Sequence, residues 1–294
     1  MDIQKLLYQN PLIFYEYILL GPLTHVYYGK KKTNVSNWMN YSNLLIDKFA
    51  IHSSSFFHLS EGIIEHKGST DKVKIKGYDL FTVNSVFRVM METYITFNHI
   101  FVEPMTDEER QFRFYLWKID GLFEKKKFKI DYEKQPDLKI VEEKDKQELA
   151  ETLELIKKCS FYNSLNTAEL LKIYDPERRK SIWKFSISEN NKVRPLKIIE
   201  LVQQICKMDA FINTYKYTSV HSHSGYISIE HFENTRSKPI SEEYTNPLTR
   251  LAIYLTAMII EDICKIDENA GTQFISLPAF FRDFITGINK SIRN

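Results

Sequence analysis

Apolar residues recur every three to four positions along most of this chain, the spacing of helices that bury one face. The first such run covers residues 4–20 and stops near Gly21-Pro22. After a basic, polar connection over 29–38, a second run covers 36–65, with Trp38, Leu44, Leu45, Phe49, Phe56 and Leu59 as apolar positions and Gly62 as a stop or break. A loop over 65–79 carries a short strand at Val73–Ile75. A third helix then runs from Leu80 to Val102, ahead of Pro104. A proline disfavours helix in the residue before it, so the run ends there. The fourth helix, 106–127, opens on Thr106 with Glu109 three residues later, the spacing of a capping box.

Beyond that point the pattern weakens. The charged stretch 128–143, with Pro136, reads as a linker or exposed excursion, and a helix follows at 144–159. A short helix over 166–175 is capped at Asn166 or Thr167. A polar loop fills 175–195, and Pro195 suits the first turn of the next helix. That helix covers 196–217, with Leu196, Ile199, Val202, Cys206 and Ile212 on one side, and its stop signal is Gly225. After a polar loop over 231–246, helices at 247–265 and 277–292 complete the chain. The expected fold is all-α: a single helical-bundle domain over 1–294 with about eight helices and at most a minor short strand.

Within the third helix, "NSVFRVMMETYITFNH" (84–99) places Asn84, Arg88, Glu92 and His99 within roughly 80° of one another at 100° per residue. The rest of the circumference is apolar or aromatic. A helix this apolar belongs at the centre of a fold, its narrow polar line aimed at a cleft, at solvent or at other buried polar groups. Arg88 and Glu92 are an i,i+4 pair, near enough to meet. His99 fits no motif spacing. A second polar cluster, "YKYTSVHSHSG" (215–225), gathers Tyr215, Ser219, His221 and His223 at a helix end. The two histidines share a side only in extended backbone, and no third metal ligand stands close in sequence, so helix capping is the plainer role for Ser222, His223 and Ser224.

Composition narrows the functional classes. Nine glycines and nine prolines in 294 residues leave neither a turn-rich β architecture nor a glycine-rich phosphate loop. The net charge of +2 does not describe a protein that coats nucleic acid, although the basic runs "GKKK" (29–32) and "EKKKFK" (124–129) together suit a phosphate-binding rim. Three scattered cysteines form neither a zinc spacing nor a disulfide framework, which points to a reducing, cytoplasmic setting. No apolar run reaches the ~18 residues of a membrane span, so no membrane partner is expected. No metal and no cofactor are expected either.

Arg88 and Glu92 on their R-x-x-x-E helix, with Tyr215, Ser219 and His221 following late, carry a resemblance. Over about residues 40–230 the chain resembles uncharacterised all-helical bacterial proteins grouped as a domain of unknown function. That resemblance implies a helical fold with a polar site built from those two elements, and no known reaction. A looser similarity is to HEPN ribonucleases, whose site is R-x(4–6)-H on one helix. Ten residues separate Arg88 from His99, so only a cross-helix Arg88–His221 pair would imitate it.

Two functions follow. In the first, the chain is a metal-independent, RNA-directed hydrolase of the toxin or phage-defence type: Arg88 stabilises charge on phosphorus, His221 moves protons, and Glu92 orients Arg88 or the imidazole. Asn84, Tyr215, Ser219 and His223 then bind the substrate. In the second, it is a non-catalytic helical module that binds a protein partner or small ligand, and the polar cluster is structural. Oligomerisation is compatible with both. The discriminating observation is whether His221 comes round to meet Arg88 and Glu92.

Overall fold

The structure, a computed structural model, describes residues 3–29, 36–67, 73–77, 79–128, 131, 134–221, 225–236 and 242–293. Among these residues the fold is all-α, with three two-stranded antiparallel hairpins as its only sheet structure. Fifteen α-helical segments stand where about eight were expected, because several long runs are broken and short helices occupy stretches such as 160–164 and 268–276 that carry no clear periodicity. None of these helices is long and apolar enough to cross a membrane. The chain divides into two compact units, one formed by 1–98 and 202–294, the other by 99–201.

The first unit begins with α1 (Ile3–Gln9), α2 (Pro11–Ile18), a π-helical turn (Leu19–Leu23) and α3 (Thr24–Gly29). Gly21-Pro22 therefore does not end the run. The wider π turn carries Pro22 within it, and the backbone stays helical at both ends. The next helix, α4 (Asn40–Ser60), buries Leu45, Ile46, Phe49 and Phe56 while Leu44, one residue round the helix, stays exposed. Gly62 ends this stretch with φ of 93°, a left-handed value that suits glycine after a helix C-terminus. The short strand expected at Val73–Ile75 is one arm of a hairpin, β1 (Ile63–Lys67) with β2 (Val73–Gly77).

The central helix of this unit is α5 (Leu80–Phe97), capped by Asp79, whose carboxylate accepts from the Thr82 amide at 3.1 Å. Val83, Phe87, Met90, Met91, Tyr94, Ile95 and Phe97 are all buried completely. Even its thioether is used: Tyr15 and Ser53 both donate to Met90 Sδ. A π-helical turn, Asn98–Val102, continues the helix into the second unit.

The second unit contains α6 (Asp107–Lys125), α7 (Asp137–Lys158), α8 (Ser160–Ser164) and α9 (Thr167–Ile173). Thr106 caps α6 by accepting from the Glu109 amide, and Asn166 caps α9 in the same way through Glu169. Helix α7 begins at Asp137, so the second half of the charged stretch read as a linker is helical, with charges paired along its exposed side. The stretch read as a loop over 175–195 forms two hairpins, β3 (Tyr174–Asp175) with β4 (Lys180–Ser181), and β5 (Phe185–Ile187) with β6 (Val193–Pro195). Pro195 consequently closes a strand rather than opening a helix. The hairpins are hard to read because their strands are two or three residues long, too short to show a period of two.

Helix α10 (Ile198–Ile205) leads out of the second unit. The first unit then resumes with α11 (Asp209–His221), α12 (Tyr226–Arg236), α13 (Glu242–Ile266), α14 (Glu268–Ser276) and α15 (Ala279–Arg293). The expected single helix over 196–217 is two, because the Lys207 amide leaves the helical ladder and donates to the Ile292 carbonyl at 3.0 Å. Helix α13 carries the most buried sequence in this group, from Leu251 through Ile263, and packs against α2, α5 and α15.

Candidate functional site

The polar line of α5 divides in three. Asn84 points into the core, where its Nδ2 donates to the Leu80 carbonyl at 2.7 Å and its Oδ1 has no partner among the described residues. Arg88 and Glu92, one turn apart, lie at the edge of the core with side chains 21% and 37% exposed. His99 is buried completely and belongs to the second unit.

Arg88 and Glu92 form the pair their spacing predicts, with Nε donating to Glu92 Oε1 at 3.0 Å. Helix α11 packs along α5 and brings Tyr215 to them. The Tyr215 hydroxyl donates to the same Oε1 at 2.9 Å and receives a longer bond from Arg88 Nη2 at 3.4 Å. The guanidinium also lies 5.1 Å from the centre of the Tyr215 ring. Burial and the bond to Glu92 push the Tyr215 phenol up to about 12, so it remains a donor at neutral pH. Burial opposes the charge on Arg88, but Glu92 and Tyr215 outweigh it and raise its pKa. Two donors, one four residues away and one 123 residues away, thus close on one carboxylate oxygen.

His221 lies elsewhere on α11. Six residues from Tyr215 correspond to roughly 9 Å along the axis and about 120° around it. The residue is buried, and its ring packs against Phe81 of α5, Tyr217 of α11 and His231 of α12, the last stacked on it at 5.2 Å with an interplanar angle of 18°. Neither ring nitrogen has a hydrogen-bond partner among the described residues. Burial and the neighbouring His231 lower its pKa. Ser219 is half-buried on α11 between the two groups. His223 lies outside the described residues, as do Lys30–Lys32 of the "GKKK" run. The structure therefore joins Tyr215 to Arg88 and Glu92, and places Asn84 and His221 in other surroundings.

Two buried polar centres escaped the sequence pattern. In the first unit, Asp262 of α13 is fully buried and accepts through Oδ2 from Tyr94 at 2.8 Å, Asn98 at 2.7 Å and Arg293 at 2.8 Å. Its Oδ1 accepts from Lys265 at 2.9 Å. Burial, with Asp262 alongside, raises the Tyr94 phenol well above its usual range. Burial also pushes the adjacent Cys206 thiol up to about 12, which leaves it a poor nucleophile. The available signal was an aspartate inside the apolar run of α13.

In the second unit, Arg113 of α6 is buried and donates to Glu109 at 2.6 Å, to Glu103 at 3.0 Å and to the His99 carbonyl at 2.7 Å. The two ring nitrogens of His99 face Glu103 at 2.6 Å and the Trp183 carbonyl at 3.1 Å. Those two acceptors suit an imidazolium, but burial and the Arg113 charge prevail and lower its pKa. Burial alone would raise the Glu103 pKa, yet His99 and Arg113 together bring it down to about 2. The signal here was the i,i+4 spacing of Glu109 and Arg113 in a helix otherwise read for its cap.

Among the described residues, no group of three or more His, Cys, Asp or Glu side chains is arranged to hold a metal ion. Compared with known proteins, the chain matches no family model, no curated protein and no solved structure.

Proposed function

We propose that the chain is a non-catalytic helical module that binds a protein partner, with Arg88, Glu92 and Tyr215 holding α11 in register on α5. The observation that carries this reading is the closure of the three groups on one another. Glu92 Oε1 takes both a guanidinium and a phenol hydrogen bond, so the charge of Arg88 is already matched. A hydrolase built on Arg88, Glu92 and His221 would need the imidazole within hydrogen-bond reach of a phosphate held by Arg88. His221 instead packs among aromatic rings with a lowered pKa, which suits a core contact. A protein partner is supported by α12, where Tyr226, Ile227 and Ile229 are 79%, 54% and 53% exposed. Large apolar side chains grouped on one short helix are the feature of a contact surface rather than of a solvated one.

The test has two arms. Wild-type protein incubated with a single-stranded RNA oligonucleotide and a chelator leaves the RNA intact. In cells of the native source, an Ile227→Glu/Ile229→Glu variant keeps its helical circular dichroism and loses a discrete partner that the wild type retains. RNA cleavage that disappears in folded Arg88→Ala and His221→Ala variants would overturn the reading in favour of the hydrolase.

A further inference from the structure

A cavity of about 300 Å³ opens in the second unit between the end of α6, the first half of α7 and the turn of the β3–β4 hairpin. Its lining includes Lys126 and Arg179 beside Phe128, Leu138 and Val141. Two further lysines there are already matched: Lys125 with Asp145 at 2.8 Å, and Lys146 with Glu142 at 3.1 Å. Lys126 and Arg179 have no carboxylate partner among the described residues, so two positive charges at this cavity are uncompensated. Phe128 is 74% exposed, so its ring is open to a ligand at the edge of the cavity.

The backbone at Arg179 adds an independent observation. Two of the hairpins turn through a residue in the left-handed region, Arg179 at φ 52° and Asn191 at φ 53°. Asparagine tolerates that region, whereas arginine bears the ordinary steric cost of a Cβ there. Glycine would fit the turn without that cost. The Arg179 side chain lines the cavity.

We infer that this cavity binds a nucleoside monophosphate, with the phosphate held by Lys126 and Arg179 and the base laid on Phe128. A phosphate monoester carries about −1.5 to −2 charges at neutral pH, which two spare cations match. Guanidinium and ammonium groups both recognise phosphate, the first through paired N–H donors. The planar face of a base is complementary to an exposed aromatic ring, and Leu138 and Val141 supply apolar wall. The volume lies at the small end of ligand pockets, which suits one nucleotide rather than a strand. Lys126 and Phe128 belong to the basic run that opens at Glu124, and the cavity is separate from α12 and from the Arg88 cluster.

The experiment is isothermal titration calorimetry of the full chain with each of the four common nucleoside monophosphates, and with adenosine and inorganic phosphate as controls. At least one monophosphate binds saturably, and more tightly than adenosine or phosphate by about tenfold or more. Arg179→Gly weakens that binding by about tenfold or more, while its thermal midpoint equals or exceeds that of the wild type because the strained residue is gone. Phe128→Ala weakens the nucleotide and leaves inorganic phosphate unchanged. Absence of saturable binding by all four monophosphates overturns the inference, as does binding that Arg179→Gly and Lys126→Ala leave unchanged.

Discussion

The first unit contains the same trio of side chains twice, in two different surroundings. Arg88, Glu92 and Tyr215 meet where solvent still reaches both charges, whereas Arg293, Asp262 and Tyr94 meet where the carboxylate has no exposure. In both, a tyrosine hydroxyl donates to the carboxylate that the arginine pairs with. The wet trio stops at three members. The dry one recruits Asn98 and Lys265 as well. The difference follows from desolvation: a half-exposed carboxylate completes its hydrogen bonding with water, and a buried one must find every donor in the protein. A polar stripe on a core helix therefore does not by itself mark a site of chemistry. Its partners show how much water has been removed.

The comparison predicts a descending series of effects. Asp262→Ala leaves Arg293 and Lys265 without their shared counter-charge and costs about 3–5 kcal/mol in denaturant unfolding. A loss below about 1 kcal/mol would mean that the dry trio is no more demanding than the wet one. In the second unit, Arg113→Met costs about 2–3 kcal/mol, less than the Asp262 change because Glu103 can still turn to water. Acid sharpens the same point. Glu103 is held at about 2, below its ordinary value of 4.5, so its contribution is complete above that value and is lost as pH falls toward 2. His99 also has a lowered pKa, so stability begins to fall once pH drops below the ordinary histidine value of 6.5. Urea midpoints measured across that range should decline in wild type, and the decline below pH 4.5 should flatten in Glu103→Gln. The smallest effect belongs to the wet trio, where Tyr215→Phe costs about 1 kcal/mol, while Tyr94→Phe costs clearly more. Equal losses for the two phenylalanine variants would break the comparison.

The residues most readily read from sequence were those whose partners lie one helical turn away. Arg88 and Glu92 are such a pair, and the caps at Thr106 and Asn166 sit three residues from the amides they accept. The short strand at Val73–Ile75 is legible in the sequence, whereas its partner strand, Ile63–Lys67, is not. Tyr215 was nominated for its place in a late polar cluster, and only the packing of α11 on α5 showed which of its neighbours went with it. His221 was nominated on the same grounds, and helix geometry alone turns it away from Tyr215's side. Asp262 and Arg113 each have one partner within a helical turn, Lys265 and Glu109, but the rest of each centre is remote or on the backbone: Tyr94 lies 168 residues from Asp262, and Arg113 reaches Glu103 and the His99 carbonyl.

By itself the sequence determined that this chain is helical, that α5 is the apolar centre of its unit and that Arg88 pairs with Glu92. Each of these depends on a period of 3.6 residues, which local chain geometry imposes. Tertiary structure decided which polar groups share a partner: Tyr215 with Glu92, Tyr94 with Asp262, and His99 with Trp183. It also set Lys126 and Arg179 around one cavity. These are distances between segments remote along the chain, and they depend on which helix faces the core can cover one another, a condition that periodicity does not encode.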